Sequence, residues 1–251
     1  MELTWQICLI VCPLVFLAGF VDSVAGGGGL ISLPAYYLTG MDPVLAAGTN
    51  KLSAGLGTLA STGRFLAGKK INWRVALLAA LAAFPGSWLG TYLMRSIPKD
   101  AVRVLMIVAI PLVAAVVLRR RTLSPRALAP VRWHGAVSAA IGLVVGFYDG
   151  FVGPGTGTFL IILFTSLLGM ETVMASGTAK VVNLTSNLSA LISQLLAGKV
   201  IIGLGLLAGV CGVAGNWLGA GMTMRRGTGF IRIMLLVVLG LLLAKMVIDV
   251  L

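Results

Sequence analysis

The stretch GMDPVLAAGTNK at residues 40–51 returns as GMETVMASGTAK at residues 169–180. Gly, Met, Val, Ala, Gly, Thr and Lys recur in place, and Asp42 is matched by Glu171. The correspondence runs on in both directions. GFVD (19–22) matches GFYD (146–149), FLAGK (65–69) matches LLAGK (195–199), GSWLG (86–90) matches GNWLG (215–219), and Arg103 matches Arg232. The offset stays near 129 residues (180 − 51 = 129), with small insertions. A chain duplicated over nearly its whole length is expected to fold as two related units. They read as an N-terminal repeat, 1–118, and a C-terminal repeat, 133–251, joined by the basic linker RRRTLSPRALAPVR at 119–132.

Each unit carries four apolar elements. The first has 5–39, 44–67, 74–95 and 101–118; the second has 134–168, 173–197, 199–223 and 229–250. The chain is 59% hydrophobic and 10% charged, whereas a soluble domain carries about 25% charged residues. A run of about 20 apolar residues spans a bilayer as a helix. The fold class is therefore an all-α polytopic membrane protein built from two four-element repeats. The net charge of +12 sits mainly in short connections, the positive-inside pattern of cytoplasmic loops. Those loops lack aromatic stacking positions, so no nucleic acid is expected; the lipid bilayer is the partner. Residues 1–20 have no basic segment ahead of the apolar run, and Glu2 is acidic. They are expected to stay in the mature protein rather than act as a signal peptide.

The first element of each unit is broken near its middle, by GFVDSVAGGGGLISLP (19–34) and GFYDGFVGPGTGTFLI (146–161). Irregular backbone is not tolerated against lipid, where its N–H and C=O groups go unsatisfied. It survives where protein buries it or where it lines a wet cavity. Gly/Pro-interrupted segments at matching positions of two halves point to a transporter binding site. Gly26, Gly27, Gly28 and Gly29, with Gly153, Gly155, Thr156, Gly157 and Thr158, are therefore candidate substrate contacts. Helices restarting near Leu30 and Thr158 would turn free N–H groups and a positive dipole end toward the break, favouring an anion. If each broken element is a re-entrant hairpin, each half crosses three times and the repeats are inverted. If every element spans, each half crosses four times and the repeats are parallel. The hairpin arrangement puts the Lys/Arg clusters 64–74, 119–132 and 225–232 on one side, and charge favours it.

Lys51 and Lys180 sit about two turns into the second element of each half, each following Gly-Thr. An ionised lysine near the bilayer centre costs on the order of 3 kcal/mol on insertion scales, so it needs a partner or a task. Lys180, Asn183 and Asn187 share a helix face, as do Lys51, Gly55, Thr58 and Thr62. With Thr49, Asn50 and Thr178 as further donors, packing these faces together yields a central anion cavity. Asp22 and Asp149 are the intramembrane carboxylates of the breaks. They can pair with the lysines, carry a coupling proton or cap a helix end.

No catalytic or metal site is expected. Cys8, Cys12 and Cys211 lie in apolar segments without paired ligand spacing. His134 is the single histidine and borders the basic linker beside Trp133. No zincin motif, nucleophile elbow or Walker loop is present. The chain is thus read as a non-enzyme without cofactor or metal.

These residues resemble the sulfite exporter TauE/SafE family of membrane transporters, and the likeness covers both halves. Asp22, Gly26–Gly29, Gly48–Lys51, Asp149, Gly153–Gly157 and Gly177–Lys180 match the family pattern. The resemblance implies a multi-pass carrier of a bacterial or archaeal inner membrane. Its implied substrates are sulfite, thiosulfate, sulfonates or sulfoacetate, and some members are assigned other small organic anions. A proton is a candidate coupling ion and a homodimer a candidate assembly. The first break carries no Pro-Gly-Thr, so the half-sites are not expected to be fully equivalent. A small-anion channel competes with a carrier, as does a membrane enzyme or sulfur-delivery partner using a cysteine; broken helices in repeats favour the carrier.

Overall fold

The computed structural model describes residues 5–98, 101 and 130–250. The expected element at 101–118, beyond its first residue, and the linker up to residue 129 lie outside the described residues. Regular structure among the described residues is helical, with no strand. Among the described residues eight α-helices are complete, in chain order: α1 Trp5–Ala25, α2 Gly29–Tyr37, α3 Pro43–Ala67, α4 Trp73–Ser96, α5 His134–Phe151, α6 Thr156–Leu168, α7 Thr172–Leu196 and α8 Ile202–Val250. Gly227, with φ 68° and ψ −157°, interrupts α8. The expected elements 199–223 and 229–250 are its two arms.

Local chemistry sets the boundaries. The matched acids Asp42 and Glu171 are N-caps: Asp42 accepts from the Val44 N–H at 3.0 Å, and Glu171 from the N–H groups of Val173 and Met174 at 2.9 and 3.0 Å. Each satisfies donors that the first helical turn leaves free. Pro43 stands at the first position of α3, where its missing N–H costs nothing. Helices α2 and α6 begin at Gly29 and Thr156, slightly before the expected Leu30 and Thr158, because Leu30 N–H already reaches the Gly27 carbonyl and Phe159 N–H the Gly155 carbonyl. Helix α8 begins at Ile202 rather than 199, since Gly198 turns the chain at φ 66°.

Trp5–Ala25, Trp73–Ser96 and Ile202–Ile231 are each long and apolar enough to cross a membrane. They expose Leu9 and Leu17, Leu81 and Leu89, and Val210 and Leu218. In a membrane protein such residues face lipid. Helices α3 and α7 have 25 residues each, about 37 Å at 1.5 Å per residue. They pack against one another and carry the polar residues inward, α3 also lying on α8 and α7 on α4. Glycines let the backbones close up at the α4–α5 and α1–α8 seams. A Cβ on Gly150 would come within 2.0 Å of the Ser87 carbonyl oxygen, and one on Gly215 within 2.0 Å of that of Phe16.

The two broken elements fold back on themselves. Helix α2 returns beside α1, bringing Tyr36 into one cluster with Val11, Val15, Ala46 and Leu204. Helix α6 returns beside α5, where Phe164 and Leu168 join Ile141, Val145, Val75 and Ala175. The tips of the two hairpins meet. Thr158 Oγ1 donates to the Ala25 carbonyl at 2.6 Å, and a Cβ on Gly26 would fall 2.1 Å from the Gly157 carbonyl carbon. Gly26 also holds φ at +76°. Gly26→Ala is therefore expected to lose roughly 1–3 kcal/mol from overpacking, with about 1–2 kcal/mol more from the left-handed backbone. Thermal unfolding in detergent measures this against Gly55→Ala, whose added Cβ meets nothing within 4 Å. Equal melting temperatures for the two variants would refute the tip contact.

Candidate functional site

Helices α1 and α5 both end at the meeting tips, and each carries a carboxylate in its last turn: Asp22 and Asp149. A helix C-terminus already bears partial negative charge, so a carboxylate there calls for a cation. Each receives one from the other half of the chain. Lys180 Nζ lies 2.6 Å from Asp22 Oδ2 and also donates to the Asp22 backbone carbonyl. Lys51 Nζ lies 2.7 Å from Asp149 Oδ2. Of the roles open to the two aspartates, pairing with the lysines is the one their geometry displays.

The pairs differ in their surroundings. Ser186 Oγ donates to Asp149 Oδ2 at 2.7 Å, and Thr156 Oγ1 lies 2.8 Å from Asp149 Oδ1 and 2.6 Å from the Gly153 carbonyl, two acceptors that share its one proton. Lys51 also donates to Asn187 Oδ1 at 3.0 Å, and Asn187 donates onward to Asn183 at 3.4 Å. Among the described residues, Asp22 has no hydroxyl donor beside Lys180. The Lys51 side chain is 10% exposed and that of Lys180 1%.

A cavity opens beside the tips. Its volume is about 60 Å³, room for roughly four to six waters. Asp22, Lys51 and Asp149 line it together with Gly26, Gly28 and Gly29 from the first tip. Gly153, Gly155, Thr156 and Gly157 line it from the second. Asn50, Asn183 and Asn187 complete the expected contacts that reach it. Asn50 is buried, and its Oδ1 has no hydrogen-bond partner among the described residues. An orphaned buried amide oxygen beside a cavity marks a place where a ligand or water belongs.

Gly27, Thr49, Thr158, Thr178 and Lys180 do not line this cavity. Thr49 Oγ1 accepts from the Ile201 N–H, and Thr178 Oγ1 from the Asn72 N–H, both at 3.0 Å. The preceding glycines make room for the same connections. A Cβ on Gly48 would lie 2.0 Å from the Lys199 carbonyl oxygen, and one on Gly177 1.9 Å from that of Lys70. The recurring Gly-Thr is thus a seat for the loop beyond a neighbouring helix, and only the lysine that follows reaches the ion pair. Thr158 ties the tips together, and Lys180 lies behind Asp22.

Asn216, Ser53 and Ser32 also line the cavity, unforeseen from sequence. Asn216 fixes α8 to α1 by accepting from Ser23 Oγ at 2.8 Å. The available signal was an amide inside an apolar segment, which marks a functional position by default. As part of GNWLG it stood out only as a marker of the repeat. The three cysteines stand outside the cavity lining.

The sequence model of the sulfite exporter TauE/SafE family matches residues 11–246. A probable membrane transporter protein of Haemophilus influenzae is 37% identical over 238 residues, 93% of this chain and 92% of the relative. The probable membrane transporter protein YfcA of Escherichia coli K12 is 35% identical over 234 residues, 93% of this chain and 87% of the relative. The probable membrane transporter protein ORF9 of a Sinorhizobium species is 31% identical over 242 residues, 94% of this chain and 91% of the relative. No solved structure matches. The chain belongs to the sulfite exporter TauE/SafE family and is a membrane-transport protein.

Proposed function

We propose that this TauE/SafE chain is a secondary transporter of a small anion, a sulfur oxyanion or sulfonate, working by alternating access at the meeting point of two inverted repeats. The observation that carries the reading is the crosswise pairing at the tips: Asp22 with Lys180 and Asp149 with Lys51, beside a small polar cavity. Each pair joins one half of the chain to the other, so a change in one half is felt at once in its partner. The N-terminal turns of α2 and α6 also lie at the cavity, where helix dipoles favour negative charge. The family description supplies sulfite as the first substrate to try. The chain is read as a carrier rather than an enzyme, in the inner membrane of a bacterium or archaeon; a coupling proton and a homodimer remain part of the proposal.

The deciding experiment is uptake into liposomes holding the purified protein, with sulfite, thiosulfate, ethanesulfonate and acetate, with and without a proton gradient. Saturable uptake of a sulfur anion, accelerated by the same anion on the far side, is expected. Non-saturable flux without that acceleration would select the channel reading. Uptake of acetate alone would replace the substrate class.

Orientation is testable separately. Phe65, Ile71, Ala220 and Ile231 share one cluster, and Arg64 stacks over Trp217 at 4.8 Å, so the basic ends of α3 and of the first arm of α8 lie together. By the positive-inside rule that end is cytoplasmic. With the three native cysteines replaced, Lys69→Cys is expected to escape a membrane-impermeant maleimide in intact cells and Lys199→Cys to react. The reverse pattern would overturn the assignment.

A further inference from the structure

The two ion pairs are chemically unequal, and we propose that the substrate anion binds by taking the Lys51 ammonium away from Asp149, while Lys180 and Asp22 stay locked together. The proposal rests on the anion-transport reading above.

An anion entering the cavity finds no idle cation. The lining holds two carboxylates, Asp22 and Asp149, and one ammonium, Lys51, which Asp149 already holds at 2.7 Å. Binding therefore means exchange of partners, and the question is which lysine can leave. Lys51 stands on the cavity wall, whereas Lys180 is buried and grips two atoms of Asp22. The carboxylates left behind also differ. Without Lys51, Asp149 keeps the Ser186 hydroxyl on Oδ2 and has the Thr156 hydroxyl within reach of Oδ1, which can take its proton from the Gly153 carbonyl. Without Lys180, Asp22 keeps no side-chain donor among the described residues, and with 15% exposure on the cavity wall it is left to solvent alone.

The difference is written in the repeat. Seven residues after Asp149 stands Thr156 (156 − 149 = 7), but seven after Asp22 stands Gly29 (29 − 22 = 7). Six residues after Lys180 stands Ser186, but six after Lys51 stands Gly57. Both hydroxyls belong to the half that must tolerate loss of its cation. Thr156 and Ser186 are thus positioning residues: they hold the Asp149 carboxylate while the ammonium serves the anion. Asn187, already bonded to Lys51, keeps the ammonium beside the cavity in both arrangements.

The test is binding of radiolabelled sulfite to purified protein in detergent. Asp149→Asn releases Lys51 from competition, and its single amide oxygen still accepts from one of the two hydroxyls. Sulfite affinity is expected to rise roughly tenfold, the size of one charge-assisted hydrogen bond, and counterflow in liposomes to slow. Ser186→Ala, outside the cavity lining, leaves Asp149 more dependent on Lys51, and affinity is expected to fall severalfold with the protein folded. Unchanged or weaker binding by folded Asp149→Asn overturns the exchange. If that variant does not fold, unchanged or tighter binding by Ser186→Ala overturns it alone. Wild-type protein that binds and transports none of the panel anions defeats the transport reading itself. Wild-type binding with variants of the wrong sign defeats only the exchange.

Discussion

Lys180→Met is expected to cost the protein up to about 3 kcal/mol of stability, the low end of the range for breaking a buried ion pair, because the carboxylate left behind is 15% exposed on the cavity wall. The ammonium is almost wholly enclosed, with its side chain 1% exposed, and it joins the carboxylate and the backbone carbonyl of Asp22 at the end of α1. Methionine retains most of the apolar stem and removes every donor. What remains is a carboxylate at the negative C-terminal end of α1 with no hydroxyl donor among the described residues. Polar interactions in membrane proteins average only ~0.6 kcal/mol, because the unfolded chain in lipid also finds partners. The larger figure applies here because the substitution strands a charge, whereas breaking a neutral pair strands none. Thermal unfolding in detergent tests the effect, and the double variant Asp22→Asn with Lys180→Met separates its causes. Removing both charges is expected to restore most of the loss, since a missing pair is far less harmful than half a pair. A single variant within about 1 kcal/mol of wild type, or a double variant no better than the single, would show that Lys180 is not the structural pin described.

The parts of this architecture that local pattern controls were legible in the sequence. Apolar run length and charge deficit announce a helical membrane protein, and GFVDSVAGGGGLISLP breaks where α1 gives way to α2. The lysines stood out because an isolated charge in an apolar helix demands an explanation. Pairings between distant segments were not legible. Lys51 meets a carboxylate 98 positions away and Lys180 one 158 positions away, and nothing local chooses between the two aspartates. The same holds for Thr49 and Thr178, whose apparent promise as substrate donors came from standing next to the lysines. Their hydroxyls are occupied by backbone N–H groups of loops that arrive from elsewhere in the fold. Repeat logic also suggested too much symmetry. Matching positions invited one role for both lysines, but Gly29 and Gly57 stand where the other half has Thr156 and Ser186, and those substitutions give the two carboxylates different support.

Lys51→Met follows the other course: a modest effect on folding and a large one on the substrate. Asp149 keeps the Ser186 hydroxyl when the ammonium is gone and has that of Thr156 within reach, so the stability loss is expected to be below that of Lys180→Met. The cavity, however, loses the cation on its wall. A charge-assisted hydrogen bond to a bound anion is worth on the order of 1.5–3 kcal/mol, which is roughly a 10- to 150-fold loss of affinity. The lower end is expected, because in the wild type part of that interaction is spent in drawing Lys51 from Asp149, 2.7 Å away. Arginine is not expected to rescue fully. Its planar fork needs two aligned acceptors, whereas the compact ammonium of Lys51 is shared between Asp149 Oδ2 and Asn187 Oδ1 at 2.7 and 3.0 Å. The measurement is the sulfite binding constant, and the liposome KM, at equal amounts of folded protein. An unchanged constant for Lys51→Met would remove the anion from Lys51 and, with it, the partner exchange. A Lys51→Met protein that fails to fold while Lys180→Met stays stable would reverse the roles assigned to the two lysines.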